Sequence, residues 1–158
     1  MPAGRSPVGR VFVDANVLVY LHDRRETAKG AVITRWLREL TNLDSVRLNL
    51  QVLNEVTNVL LRKPWFDSPL QVYAIIDEFA DMGAEPVTWH DIEVARLIHA
   101  AQRYSWWDCL LLASALELGC THFLSEDLQN GQRIETVGKA LTIVNPFAHS
   151  PEQILASR

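Results

Sequence analysis

The sequence predicts an α/β fold in which helices flank a largely parallel central sheet, and three observations carry that expectation. Short runs of β-branched and aromatic residues alternate with helix-spaced segments along the whole chain. The helix-spaced segments end at recognisable stops, Lys63-Pro64, Gly83 and Gly119. The 158 residues, 48% of them apolar, are enough to enclose one core, and no internal repeat or low-complexity linker divides them.

The first strand is Val11 to Val13, after which Val17, Leu18 and Leu21 take helical spacing. Thr27 to Leu43 places Ala28, Val32, Trp36, Leu37 and Leu40 at helix intervals, so Trp36 is a core residue. Val46 to Leu50 alternates as a second strand, and Gln51 to Leu61 returns to a helical period. Pro69 to Met82 is a further helix. Pro86 to Trp89 reads as a short strand, and His90 to Tyr104 as a helix turning Ile92, Ala95, Leu97 and Ile98 inward. Ser105 caps a helix that runs to Leu118, and His122 to Leu124 and Leu141 to Val144 are strands separated by a turn region. The expected organisation is a flexible N-terminal segment, 1–9, one domain, 10–147, and a loosely held C-terminal tail, 148–158.

Charge and composition exclude several classes of function. With 15 Lys and Arg against 19 Asp and Glu, the net charge of −4 would repel nucleic acid, so a plain basic-patch binder is excluded. The excess is four acids, so a single four-acid site would leave the rest of the surface balanced. Cys109 and Cys120 sit in apolar surroundings without metal or redox spacing, which fits buried thiols and a reducing, cytoplasmic setting. The polar MPAGRSPVGR start has no apolar core, and Asp14 and Asn16 interrupt VFVDANVLVYL, so neither a signal peptide nor a membrane span is expected.

Four carboxylates stand out by position. Asp14 ends the first strand, Asp127 follows the strand containing Phe123 and Leu124, and Glu55 lies early in the helix after the second strand. In an open α/β sheet the residues beyond the carboxyl ends of the strands line the ligand crevice. Asp108, three residues after Ser105, starts a helix that should run antiparallel to the strand it feeds, which brings it to the same edge. Singly, each has an ordinary explanation: Asp14 as a helix cap, Ser105 with Asp108 as a capping pattern, Asp127 as a turn before Asn130-Gly131. That of Glu55, a surface glutamate, is the weakest, because it shares a face with Val52, Val56 and Val59.

Two carboxylates about 4 Å apart at an effective dielectric near 20 repel by roughly 4 kcal/mol, whereas a helix N-terminus returns only about 0.3–1 kcal/mol. Either some of the acids are protonated or a divalent cation lies among them. An all-oxygen donor set suits Mg²⁺ or Mn²⁺ and points to metal-dependent phosphoryl transfer.

Four segments, V-D-A-N-V-L-V-Y at 13–20, N-E-V-T-N-V-L at 54–60, S-W-W-D-C-L-L-L-A-S-A at 105–115 and F-L-S-E-D-L-Q-N-G at 123–131, together resemble the PIN-domain ribonucleases. More narrowly they resemble the VapC toxins of toxin-antitoxin pairs, and I-V-N-P-F at 143–147 is similar to the same group. The resemblance implies a PIN-like three-layer α/β/α sandwich. It implies that Asp14, Glu55, Asp108 and Asp127 bind Mg²⁺ or Mn²⁺ and activate water against an RNA phosphodiester, with Asp14 and Asp108 as the leading metal ligands. Asn16 would orient Asp14, and Ser125 matches the small hydroxyl residue before the last acid. Asn130 is neutral where some members carry a further acid, which leaves the number of metals open. The implied partners are RNA, a cognate antitoxin and a second copy of the chain.

Two rivals lack a residue each: a haloacid-dehalogenase-like phosphatase needs an acid where Asn16 stands, and a receiver domain needs a late-strand lysine, whereas the only late lysine is Lys139. An RNA-processing PIN nuclease and a catalytically silent PIN-like scaffold remain as alternatives. Trp65 and Phe66 are expected to be exposed and to offer a dimer or antitoxin contact; Glu126 is expected to face solvent. The five histidines have no ligand spacing.

Overall fold

A computed structural model describes residues 9–155. Val11, Phe12 and Val13, successive residues of β1 (Arg10–Val13), are each 1% exposed or less, so both faces of the strand are covered by other layers. The central sheet adds β2 (Val46–Arg47), β3 (Cys120–Leu124), β4 (Arg133–Thr136) and β5 (Lys139–Val144), in the order β2-β1-β3-β5-β4. All pairs are parallel except β4 with β5. The largely parallel sandwich expected from the alternation is therefore present.

The helices are α1 (Ala15–Val19), prolonged by a 3-10 turn over Tyr20–His22, then α2 (Thr27–Asn42), α3 (Leu50–Arg62), α4 (Pro69–Ala80), α5 (Trp89–Ala101), α6 (Trp106–Glu117) and α7 (Pro151–Leu155). Trp36 is fully buried in α2 and donates its indole N–H to the Pro146 carbonyl, 3.0 Å away. Asn49 caps α3 by accepting from the Val52 N–H and gives its amide to Ser114 Oγ, which ties α3 to α6. None of these helices is long and apolar enough to cross a membrane.

Three details depart from the sequence reading. Pro86 to Trp89 is not a strand: Thr88 and Asp91 form a reciprocal capping box that starts α5 at Trp89, and only Asn49 and Glu85 pair as an isolated bridge. Gly83, at φ +145°, permits this approach, since a Cβ there would lie 2.5 Å from the Leu48 carbonyl oxygen. Strand β4 was not anticipated, and Leu97 on α5 is 53% exposed rather than inward.

Of the expected N-terminal segment, residues 1–8 lie outside the described residues. At the other end, Pro151 is buried, Glu152 pairs with Arg35 of α2, and Phe147 meets the Tyr20 ring edge-on at 5.3 Å. Trp65 and Phe66 are half-buried against the core instead of exposed, with Phe66 tilted against His22.

Both cysteines are buried, and burial pushes the Cys120 thiol up to about 12. Burial and the Asp108 charge raise Cys109 as well. The thiolate is the nucleophile, so native protein at pH 8 should resist iodoacetamide and gain two adducts only after denaturation, as read by intact mass. Alkylation of the native chain would contradict this burial.

Candidate active site

Each acid reaches the site through its own element. Asp14 leaves β1 and caps α1: its Oδ1 accepts from the Ala15 N–H at 2.7 Å, and its Oδ2 from Ser125 Oγ at 2.9 Å. The Asp14 N–H donates to Leu124 and the Ser125 N–H to Val144, so the carboxyl ends of β1, β3 and β5 are laced together where these side chains emerge. Asn16 shares its amide hydrogens between Asp127 Oδ2 at 2.9 Å, Asp14 Oδ2 and Ser125 Oγ, both at 3.3 Å. It therefore links the first and last acids, a wider task than orienting Asp14 alone.

Glu55 and Asp108 come from the helical layer. Glu55 is half-buried on α3 and accepts from Gln51 Nε2 at 3.1 Å. The same Nε2 lies 3.3 Å from the Trp107 carbonyl, which joins α3 to the start of α6. Asp108 is in the first turn of α6, where Ser105 Oγ accepts its N–H, while among the described residues no hydrogen bond engages its carboxylate. Asp14, Glu55, Asp108 and Asp127 together line one pocket of about 490 Å³ with Tyr20 and Asn58.

The acids sense one another. Burial lifts Asp14 to about 7 against the hydrogen bonds from Ser125 and Ala15, and the charges of Glu55 and Asp108 add to the rise. Burial also raises Glu55, opposed by the Gln51 hydrogen bond and reinforced by Asp108. Burial and repulsion thus favour the neutral form of Asp14, and a cation in the pocket would favour its ionised form instead.

Among the described residues no group of three or more His, Cys, Asp or Glu side chains is arranged to hold a metal ion. The donors nevertheless fit an ion that keeps several waters and takes only one or two carboxylates directly: all are oxygen, and Asp108 is uncommitted.

Several neighbours went unread in the sequence. Gln51 and Asn58 stand four before and three after Glu55, spacings that share its helical face and could have disclosed them. Glu126 does not simply face solvent; it accepts from Tyr20 Oη at 2.5 Å and Lys29 Nζ at 2.9 Å, and so clamps the loop carrying Asp127 to α2. Asn130 lies outside the pocket and serves the turn, its Oδ1 accepting from the Asn145 N–H at 2.8 Å.

Acids that line one pocket at the carboxyl edge of a mainly parallel sheet mark the chain as an α/β protein with an acidic site at that edge. The PIN-domain family model matches residues 11–133, and the chain belongs to that family. Among solved structures it is similar to FitAcB from Neisseria gonorrhoeae, at 13% identity over 88% of this chain and 99% of that one, with a TM-score of 0.61. It is similar to VapBC2 from Rickettsia felis, bound to a DNA fragment from its promoter, at 11% identity over 75% and 88% of the two chains, TM-score 0.56. It is also similar to VapC20 of Mycobacterium tuberculosis, a sarcin-ricin loop cleaving toxin, at 21% identity over 72% and 86%, TM-score 0.50. No curated protein sequence matches the chain.

Proposed function

We propose that this PIN-domain protein is a metal-dependent endoribonuclease acting as the toxin of a toxin-antitoxin pair. The observation that carries the nuclease reading is the single pocket shared by Asp14, Glu55, Asp108 and Asp127, in which Asp14 is raised to about 7. Asp14 and Asp108 would hold a hydrated Mg²⁺ or Mn²⁺, with Asp127 reaching it through water. When bound, such an ion offsets charge on the phosphate and makes a water more acidic. Glu55, held by the Gln51 amide at 3.1 Å, would act as the general base of the site. Asn16 and Ser125 keep Asp14 and Asp127 in position as the substrate enters. The toxin role is supported by likeness to VapC20, VapBC2 and FitAcB, and it implies a cognate antitoxin and a dimer of this chain.

Purified protein should cut single-stranded RNA with Mg²⁺ or Mn²⁺ and stop on addition of EDTA. Replacing Asp108 by Asn should abolish the cut, while cleavage that persists in EDTA would refute the metal role. Expression should arrest growth, and co-expression of a small protein encoded beside it should relieve the arrest; absence of arrest would favour RNA processing.

A further inference from the structure

A second groove of about 780 Å³ adjoins the acidic pocket, and the two share Glu55 and Asn58 as a common wall. Leu50, Val87 and Leu110 give the groove an apolar floor, and Gln51, Asn54 and Asn58 supply amides. Trp107 completes the lining and is 64% exposed, although it immediately precedes Asp108. An exposed indole beside an acid of the site offers a flat apolar face on which a planar partner can stack. Gln51 fixes the geometry, since its amide is bonded to both the Glu55 carboxylate and the Trp107 carbonyl.

We propose that this groove is a base-stacking subsite, in which Trp107 holds an unpaired nucleobase of the RNA strand whose phosphate lies in the acidic pocket. The inference rests on the nuclease reading above and adds the residue that grips the substrate. A phosphate is unsuited to the groove, where Glu55 is the only charged lining residue among those described, and it carries the wrong sign. A base is neutral and flat, stacks on indole, and offers edge donors and acceptors to side-chain amides. The shared wall with the acidic pocket puts that base beside the bond being cut, and Trp107 and Asp108 are adjacent in α6. The overall charge of −4 gives the chain little to hold RNA by its backbone, so stacking takes a larger share of the grip.

The test uses a short labelled single-stranded RNA and versions of it that lack one base at each position around the cut. Trp107→Ala should lower kcat/KM about tenfold or more on the intact RNA, Trp107→Phe should recover most of it, and Trp89→Ala, an exposed indole on α5, should change nothing. One abasic position should cost the wild type as much as the substitution does, and should cost Trp107→Ala nothing more. Additive losses, or full activity in Trp107→Ala, would overturn the subsite. So would unchanged cleavage combined with lost affinity for the antitoxin, which would assign the groove to a protein segment.

Binding is read separately, as anisotropy of the labelled RNA on Asp14→Asn protein with and without Trp107→Ala. A wild type that cuts no RNA would overturn the nuclease reading, whereas anisotropy unmoved by Trp107→Ala would overturn the subsite.

Discussion

Asp14→Asn is expected to lower RNA cleavage by about 10³-fold or more, the equivalent of several kcal/mol of charge stabilisation at the phosphate, and yet to stabilise the metal-free fold. The second half follows from burial. Asp14 is 5% exposed, and its pKa is raised from 3.8 to about 7 with Glu55 and Asp108 adding repulsion. Between those two pH values the folded chain binds more protons than the unfolded one, so stability falls as pH rises through the window and stays low above it. An amide at this position has no charge to desolvate. The linkage amounts to roughly 4 kcal/mol at 1.36 kcal/mol per unit, and only about half of it remains as a gain, because the new NH₂ replaces an acceptor that Ser125 Oγ and Asn16 Nδ2 now use. For a chain of this size that is about 5 °C in thermal midpoint. Calorimetry in EDTA should give the gain at pH 8 and none near pH 4, while Mn²⁺ should raise the midpoint of the wild type only. A variant less stable than wild type at pH 8 would contradict the strained carboxylate.

The parts of this arrangement that the sequence disclosed are those with a local signature. Asp14 was legible because a β-branched run stops on an acid, and Glu55 because an acid interrupts a valine face. What stayed hidden depends on distant partners or weak periods. Strand β4 reads Arg-Ile-Glu-Thr with Ile134 alone buried; it lies at the sheet edge and pairs only with β5, so it needs little apolar content. Residues 86–89 have strand-like composition, but Thr88 spends its hydroxyl on capping α5 and Pro86 has no N–H to give a ladder. The clamp of Glu126 by Tyr20 and Lys29 joins residues about a hundred positions apart, which no spacing rule reaches.

Phe123→Ala should cause the largest loss of stability, about 3–5 kcal/mol, a substantial part of the roughly 5–15 kcal/mol that holds a domain together. Phe12 and Phe123 are register partners on β1 and β3, both fully buried, with ring centroids 5.3 Å apart and planes 10° from parallel. These are also the strands that lead into Asp14 and Ser125, so the stack braces the strand ends between which Ser125 Oγ reaches Asp14 at 2.9 Å. The loss should lower the midpoint by roughly 10 °C, and in denaturant it should shift the transition without changing its slope. Because the rings contact each other, the pair Phe12→Ala/Phe123→Ala should cost less than the sum of the single variants, by about 0.5–1.5 kcal/mol. Below the new midpoint, with the chain still folded, Phe123→Ala should retain reduced cleavage, because the acids remain but Ser125 no longer holds Asp14 at a fixed distance. Strictly additive losses would mean that each ring is held by its own surroundings, and the strand ends would then owe their alignment to the backbone ladder alone.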